Sequence, residues 1–346
     1  MKKGILIHNR YIADHLRRYS LVFYGVLIIG LLNSLVTFLL PVSVGEFFTL
    51  FYHTGSTKGE FLHLIGIQLS TLSQFWLFFM ILLTAKGILT FTENYGTFSQ
   101  GELFARDARE KVFTAQMSWS MSAMPGHSAG KYLLRYSNDM KSIQLFLTKG
   151  VMEGIRSTLF LVIGLVVLFR IHWGLTLTIL ALLSVVMLCI YLFAGHQTAY
   201  IMTSRSARSR LLAYVSRQFS RFRKLKERQL ERVSIAGFVE KSTSLYDANM
   251  KYNRTESIIL ALVPVLIFAI TGIVLWSLVF LKGTITASEG LMFVLILLLM
   301  EGGMRQLLKV PTYINKGRIS LYKIDKLILE PGPLPKPLPD ILLKAS

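Results

Sequence analysis

The chain has 346 residues, of which 53% are hydrophobic and only 16% are charged, whereas a soluble domain carries about a quarter charged residues. So much apolar surface excludes a water-soluble fold of this size and predicts an integral membrane protein. A formal net charge of +19 is also typical of nucleic-acid-binding proteins. We nevertheless expect no nucleic-acid binding, because the basic residues cluster at the ends of apolar segments, as they do on the cytoplasmic side of membrane proteins.

The N-terminal segment mixes basic and apolar residues and lacks the compact apolar core of a cleaved signal. We interpret residues 1–20 as an amphipathic cytoplasmic helix that lies on the inner membrane face. A first membrane span is predicted from Leu21 to Leu40, because about 20 apolar residues cross a bilayer. Pro41 is expected to end this span.

Further apolar segments predict about six spans in all. The later spans are predicted near Thr71–Thr92, Ser157–Phe169, His172–Ala194, Ile258–Leu281 and Ser288–Leu308. The Val42–Ser70 loop contains a single lysine, whereas the Glu93–Arg156 and Gly195–Glu256 loops are rich in Lys and Arg. The positive-inside rule therefore places both termini and both long loops in the cytoplasm.

Both long loops exceed an ordinary connection between helices. Apolar Leu211, Leu212 and Val215 recur on one side of a helical stretch, so we expect spans two to five to continue as helices into the cytoplasm. The Met124-Pro125-Gly126 sequence predicts the turn of the first hairpin. The chain is thus predicted to be all-α, with a membrane domain at 21–329 and a Pro-rich cytoplasmic tail at 330–346.

Three segments share a pattern with a known family. They are Arg109–Phe113, then Gly130 with Arg135 and Asn138-Asp139, and finally Arg305–Leu308 through Ser320–Ile324. Together with the loop lengths, these segments resemble the type I transmembrane domain of ABC exporters, over about residues 11–329. The resemblance implies six spans with long intracellular helices, a homodimer or heterodimer, and transport by alternating access.

In that family, the tip of each intracellular hairpin docks on a nucleotide-binding domain. The resemblance places these coupling contacts at Ala123, Met124, Pro125, Gly126 and His127 in the first loop and at Arg217, Arg221, Phe222 and Leu225 in the second. The second loop departs from the family pattern, because Arg217 and Arg221 stand where a Glu and then a Gly are usual.

The chain contains no phosphate-binding loop of the form G-x4-G-K-[ST]. We therefore expect no enzymatic activity and no cofactor in this chain, with ATP and Mg²⁺ bound by a separate ATPase subunit. The implied function is that of the membrane-spanning subunit of an ABC exporter-like transporter, surrounded by lipid in a bacterial inner membrane.

Ionisable residues inside predicted spans indicate a candidate translocation pathway, because charges in a bilayer are costly. Lys86 and Glu301 lie at similar predicted depths, so an ion pair between them or a shared polar cavity is one interpretation. Arg305 follows Glu301 by one helical turn, so a pair within that helix is equally available. A third interpretation is that these charges lie near the cytoplasmic boundary and reach the headgroups.

Two alternatives to an ATP-driven subunit remain open. One is a proton-driven peptide or solute transporter on the same fold, with Glu301 as the proton carrier. The altered second loop favours it, and the expected lack of several buried carboxylates counts against it. The other is a membrane scaffold or regulator whose basic second loop binds a partner or anionic lipid.

Overall fold

The computed structural model describes residues 2–52, 71–118, 135–280 and 286–329, and nearly all of these residues are helical. The long helices and one short helix are α1 Lys2–Tyr52, α2 Leu72–Met117, α3 Glu153–Ile171, α4 Trp173–Ser220, α5 Phe222–Glu227, α6 Glu231–Phe280 and α7 Ala287–Leu329. Helix α3 is preceded without a break by Met140–Leu145 and by the π-helical turns Arg135–Asp139 and Phe146–Met152. The prediction of an all-α chain is confirmed for the described ranges.

The helices extend far beyond the apolar segments. Helices α2, α4 and α6 contain 46, 48 and 50 residues, whereas about 20 cross a bilayer. The helical extensions predicted for the two long loops are therefore present. The tip of the first hairpin, with Ala123–His127, lies outside the described residues, and so does the Pro-rich tail after Leu329.

Five helical stretches of the described chain are long and apolar enough to cross a membrane. They are Ile12–Phe48, Leu72–Met117, Tyr136–Ile171, Glu231–Ser277 and Ser288–Asp325. Each contains all or most of one predicted span; the predicted fifth span, Ile258–Leu281, ends outside the described residues. The predicted fourth span lies in α4. The apolar stretch found there, Trp173–Leu182, is shorter than the other five, and most of the side chains that follow it are not among those described. A total of six spans therefore remains a prediction.

Helix α1 corrects the predicted end of the first span. It continues through Pro41 to Tyr52, and its backbone leaves helical geometry only at Tyr19, with φ −125° and ψ 28°. Proline is tolerated in membrane helices because neighbouring helices and Ser or Thr side chains satisfy the freed backbone groups. The kink at Tyr19 lies next to the predicted boundary at residue 20.

Packing forms two apolar clusters along the helices. The first joins α1, α3, α4, α6 and α7 around Leu168 and Ile296. The second joins the start of α1, the extension of α2, the segment before α3 and the end of α7 around Ile143 and Leu321. All four side chains are completely buried. The polar network described below lies where α1, α2 and α3 meet.

The outer helix faces are apolar and exposed. Leu77, Phe91 and Trp276 are 66%, 71% and 69% exposed. Large contiguous apolar exposure is unusual for a soluble monomer, and it is what a helix needs where it contacts lipid. The apolar residues of the sequence therefore lie on an outward-facing surface as well as in a buried core.

Candidate functional site

A polar network joins α1 to α2 within their apolar stretches. Lys86 Nζ on α2 donates to Asn33 Oδ1 at 2.8 Å and to Thr37 Oγ1 at 2.5 Å on α1. Asn33 Nδ2 in turn donates to Glu93 Oε2, and Asn33 is buried. One amide of α1 thus bridges a cation and an anion that lie two turns apart on α2.

Arg156 extends this network to α3 by joining two carboxylates. Its Nη1 pairs with Glu93 and its Nη2 pairs with Glu153. The two carboxylates are only 3% and 5% exposed. Lys149 Nζ also lies 3.6 Å from Glu153 Oε2. Because each buried carboxylate has a cationic partner, the penalty of removing it from water is offset by attraction and hydrogen bonding.

A cavity of about 410 Å³ lies beside the network, between α1, α2, α3 and α7. Lys86, Glu93 and Arg156 line one part of it, and Phe160 and Gln306 line another. Charged and neutral hydrogen-bonding groups therefore share the cavity with an aromatic ring. Such a combination is typical of sites that orient a small solute.

The structure separates the residues that the sequence grouped as a translocation pathway. Lys86 lines the cavity, whereas Glu301 is not among the described lining residues. Glu301 instead pairs with Arg305 one turn along α7. Among the interpretations of Glu301 given above, the one present in the structure is the ion pair with Arg305 on the same helix. A role of Lys86, Glu301 and Arg305 in translocation stays a prediction.

Glu93, Arg156 and Asn33 are the network residues that the sequence pattern did not single out. The predicted second span ended at Thr92, so Glu93 and Arg156 were assigned to the two ends of a cytoplasmic loop. A signal was present: Lys86, Thr90, Glu93, Thr97 and Gln100 follow one another at steps of four and three. Residues at these steps lie on one face of a helix, and a polar stripe of this kind indicates a buried polar partner.

Buried carboxylates are more frequent than the sequence indicated. Glu93, Glu153 and Glu289 are between 2% and 5% exposed, so the expected lack of several buried carboxylates is wrong. Glu289 lies at the start of α7 and its Oε2 accepts from the Thr286 amide at 2.8 Å. The error arose because Glu93 and Glu153 were placed in a solvated loop rather than in helices packed against each other.

The polar stripe on α2 also contacts the N-terminal part of α1. His15 is 4% exposed, and its Nε2 lies 3.0 Å from Gln100 Oε1. The His15 ring also contacts Phe104 edge to face, with centroids 5.1 Å apart. Near the end of α2, Lys111 Nζ lies 3.5 Å from Asp14 Oδ2. The described part of the N-terminal helix therefore packs on the extension of α2.

The second predicted coupling segment lies at the far end of the α4–α6 hairpin. Arg217 lies in the last turn of α4, Arg221 follows the end of that helix, and α5 crosses the turn with Phe222 and Leu225. The Phe222 ring is 52% exposed, both arginines are exposed, and Leu225 is half-buried. A short helix at this tip, at 222–227 rather than 217–225, matches what the resemblance implied. The coupling role of these residues stays a prediction.

Two features hold this tip in place. Gln229 has a φ of 53°, which turns the chain from α5 into α6. Tyr214 on α4 donates through its hydroxyl to the Ser234 carbonyl on α6 at 2.9 Å. Gly237 permits the close approach of this tyrosine, because a Cβ there would lie 2.4 Å from the Tyr214 hydroxyl oxygen and the ring would have to shift.

Comparison with known protein families gives one match. The family of the ABC transporter transmembrane region matches residues 22–303, and no nucleotide-binding domain family was found in the chain. No curated protein matches the sequence. The family match covers most of the chain, including the polar network and both long hairpins. The chain therefore belongs to the family of ABC transporter transmembrane regions.

Proposed function

We propose that the chain is the membrane-spanning subunit of an ABC exporter-like transporter that moves a solute by alternating access. Two copies, or one copy and a related subunit, enclose the path. Separate ATPase subunits hydrolyse ATP with Mg²⁺. The family match across residues 22–303 is the observation that carries this proposal.

The hairpin tip supports coupling to a partner. Phe219 and Phe222 are 72% and 52% exposed at the end of a hairpin that extends far beyond the apolar segments. Phe219 lies in the last turn of α4 and Phe222 begins the short helix α5, and exposed aromatic side chains at such a tip are suited to insertion in a groove of a partner protein. A long, braced hairpin also transmits a displacement at its tip to the membrane part of the same helices.

The cavity beside Lys86, Glu93 and Arg156 supports passage of a polar or amphipathic solute. Its polar groups come from α1, α2, α3 and α7, so relative movement of these helices changes the size and polarity of the cavity. Alternating access requires such a site, whose walls belong to elements that move against one another.

Site-specific crosslinking tests the coupling role. A photoreactive amino acid replaces Phe222, and the matched control replaces Val239, which is 55% exposed on the same hairpin. In native membranes, position 222 should crosslink to a polypeptide that contains a phosphate-binding loop, and position 239 should not. Crosslinks from both positions to unrelated proteins, or none from position 222, would contradict the proposal.

Buried carboxylates give a second candidate function, a proton-driven transporter on the same fold. Glu93 and Glu153 are nearly inaccessible and lie between packed helices, which makes them candidates for the carboxylate that such a transporter needs. Arg156 pairs with both, so this candidate function requires Arg156 to move away from at least one of them.

Reconstitution separates the two candidates. In liposomes that contain only this chain and a mixed peptide pool, a proton-driven transporter accumulates peptides when a pH gradient is imposed. The Glu93→Gln variant should abolish that accumulation, whereas Glu227→Gln, at the hairpin tip, should not. Absence of accumulation by the unmodified chain rejects this second candidate.

A further inference from the structure

A second cavity, of about 480 Å³, lies away from the apolar segments, between α4, α6, α7 and the segment before α3. We call it the basic cavity. Its cationic lining residues are Lys141, Arg205, Arg208, Lys316 and Lys323. Asp139 is the single carboxylate among the described residues that line it. The lining therefore carries a large excess of positive charge.

The fold, rather than a local run of basic residues, gathers these cations. They come from two helices, α4 and α7, and from the segment before α3, which are far apart in the sequence. The basic run around α5 behaves differently: the Arg223 side chain is 94% exposed and pairs with Glu227 at 3.1 Å. A topological preference for positive loops explains that solvated run, but it does not explain cations that converge on one cavity.

Arg205 is the most constrained of these cations. Its Nη2 donates to the Lys316 carbonyl at 3.0 Å, while its Nη1 is buried without a hydrogen-bond partner among the described residues. Burial lowers the pKa of Arg205, the carboxylate of Asp139 opposes this shift, and Arg208 adds to it. Asp139 also accepts from Ser320 Oγ at 2.9 Å. A buried donor without an acceptor is destabilising, and an anion in the cavity would supply the acceptor.

Neutral groups complete the lining. Asn249 Oδ1 accepts from Ser204 Oγ at 2.5 Å, and both residues line the cavity. Lys316 Nζ lies over the Tyr252 ring, 5.2 Å from its centroid, which holds the ammonium group at the cavity wall. Guanidinium groups bind phosphate oxygens with paired N–H donors, and ammonium and amide groups add further donors.

We propose that the basic cavity binds a soluble anion that carries phosphate groups, with one site in each chain. Its volume exceeds the space that a single inorganic phosphate fills, so a ligand with more than one phosphate or with an organic part fits better. The five cations are then neutralised in part by the ligand, and the unpartnered nitrogen of Arg205 gains an acceptor.

Position along the helix favours a soluble ligand over a lipid headgroup. Arg205 follows the predicted end of the fourth span, Ala194, by three helical turns, or about 16 Å at 1.5 Å per residue. The headgroup layer extends only about 5–8 Å beyond the hydrocarbon on each side. A headgroup that stays in the bilayer therefore does not reach the cavity.

Titration calorimetry with pyrophosphate tests the site, using the full chain in phosphatidylcholine nanodiscs. We expect one saturable site per chain, weakened about tenfold or more in Arg205→Gln and in Arg208→Gln by loss of charge-assisted hydrogen bonds. Arg208 is exposed, so its replacement leaves the fold intact. The control is Arg210→Gln, because Arg210 is exposed on the same helix, outside the cavity, and donates to Ser206 at 2.8 Å. Equal weakening in Arg208→Gln and Arg210→Gln, or no saturable binding, would overturn the proposal.

A second series in phosphatidylglycerol nanodiscs identifies the source of the phosphate. Unchanged pyrophosphate affinity supports a soluble ligand. If the anionic lipid displaces pyrophosphate, and the Arg208→Gln change relieves this displacement, the ligand is a lipid headgroup and the proposal of a soluble ligand is overturned. Neither series requires an ATPase or transport, so failure here is distinguishable from failure of the proposed function.

Discussion

Arg156 is the residue on which the buried charge network depends. It pairs with Glu93 and Glu153, and both carboxylates are nearly inaccessible. Removing one member of a buried pair leaves an uncompensated charge, whereas removing an exposed pair has little effect. Breaking the network at Arg156 is therefore expected to destabilise the fold far more than breaking an exposed pair.

The Arg156→Met variant should lower stability strongly, because it leaves two buried carboxylates without their guanidinium. In soluble proteins such a loss costs about 3–5 kcal/mol. Thermal unfolding in detergent, followed by tryptophan fluorescence, measures the effect. The control is Arg305→Met, because Arg305 is 45% exposed and pairs with Glu301 within one helix. That loss should cost less than the loss of Arg156, because it leaves one carboxylate that is 16% exposed rather than two that are almost completely buried.

Removing the charges together should restore stability. Arg156→Met combined with Glu93→Gln and Glu153→Gln leaves no uncompensated carboxylate at the site. Its unfolding temperature should lie well above that of Arg156→Met alone. If Arg156→Met and Arg305→Met lower the unfolding temperature by the same small amount, the network contributes no more than a surface pair.

Individual charges were predictable from the sequence where they interrupt an apolar run. Lys86 was identified on that basis, and the structure places it in a polar cavity. Glu93 was not identified, because the predicted second span ended at Thr92, directly before it. The partners of Lys86 were not predictable either, because Asn33 and Thr37 lie on another helix and depend on how the two helices are rotated.

Helices α3 and α7 pack closely through glycine. A Cβ on Gly303 would lie 2.7 Å from Phe160 Cδ1, whereas a Cβ on the adjacent Gly302 would meet nothing within 4 Å. The Phe160 ring is stacked on Phe38, with centroids 4.5 Å apart, so it has little freedom to move away. Small residues permit such close approach between membrane helices.

This difference predicts opposite effects of two neighbouring substitutions. Gly303→Ala should lower the unfolding temperature by several degrees, because the new methyl group overlaps the Phe160 ring. Gly302→Ala should leave it unchanged or raise it, because Ala is favoured over Gly in a helix by about 1 kcal/mol. Thermal unfolding in detergent compares the two variants. Equal destabilisation by both would show that α3 and α7 do not pack in this register.

The existence of most helices was predictable from apolar length and charge, but their ends were not. Pro41 indicated the end of the first span, yet α1 continues to Tyr52, since proline is tolerated inside membrane helices where other groups can satisfy the freed carbonyl. The tip helix α5 lies within a basic run whose sequence gives no strong capping signal. Its position is set instead by the turn at Gln229 and by the contact of Tyr214 with Ser234.

The organisation of the whole chain follows from the alternation of apolar segments with long basic loops. This alternation is a property of the sequence alone, so membrane insertion and the long hairpins were predictable, and the family match agrees. Assembly was not predictable in the same way. The proposed interfaces with a second copy and with an ATPase would depend on exposed surfaces such as the α5 tip, and an exposed apolar helix can contact lipid as well as protein.

Purification of the tagged full chain from native membranes in mild detergent, with ATPase activity assayed on the eluate, tests the central claim most directly. A transporter subunit should elute with an ATPase polypeptide in equal amounts, and the eluate should hydrolyse ATP. Replacing Phe222 with Ala should reduce both, while replacing Val239 with Ala should change neither. Elution of the chain alone, without ATP hydrolysis, would contradict an ATP-driven subunit.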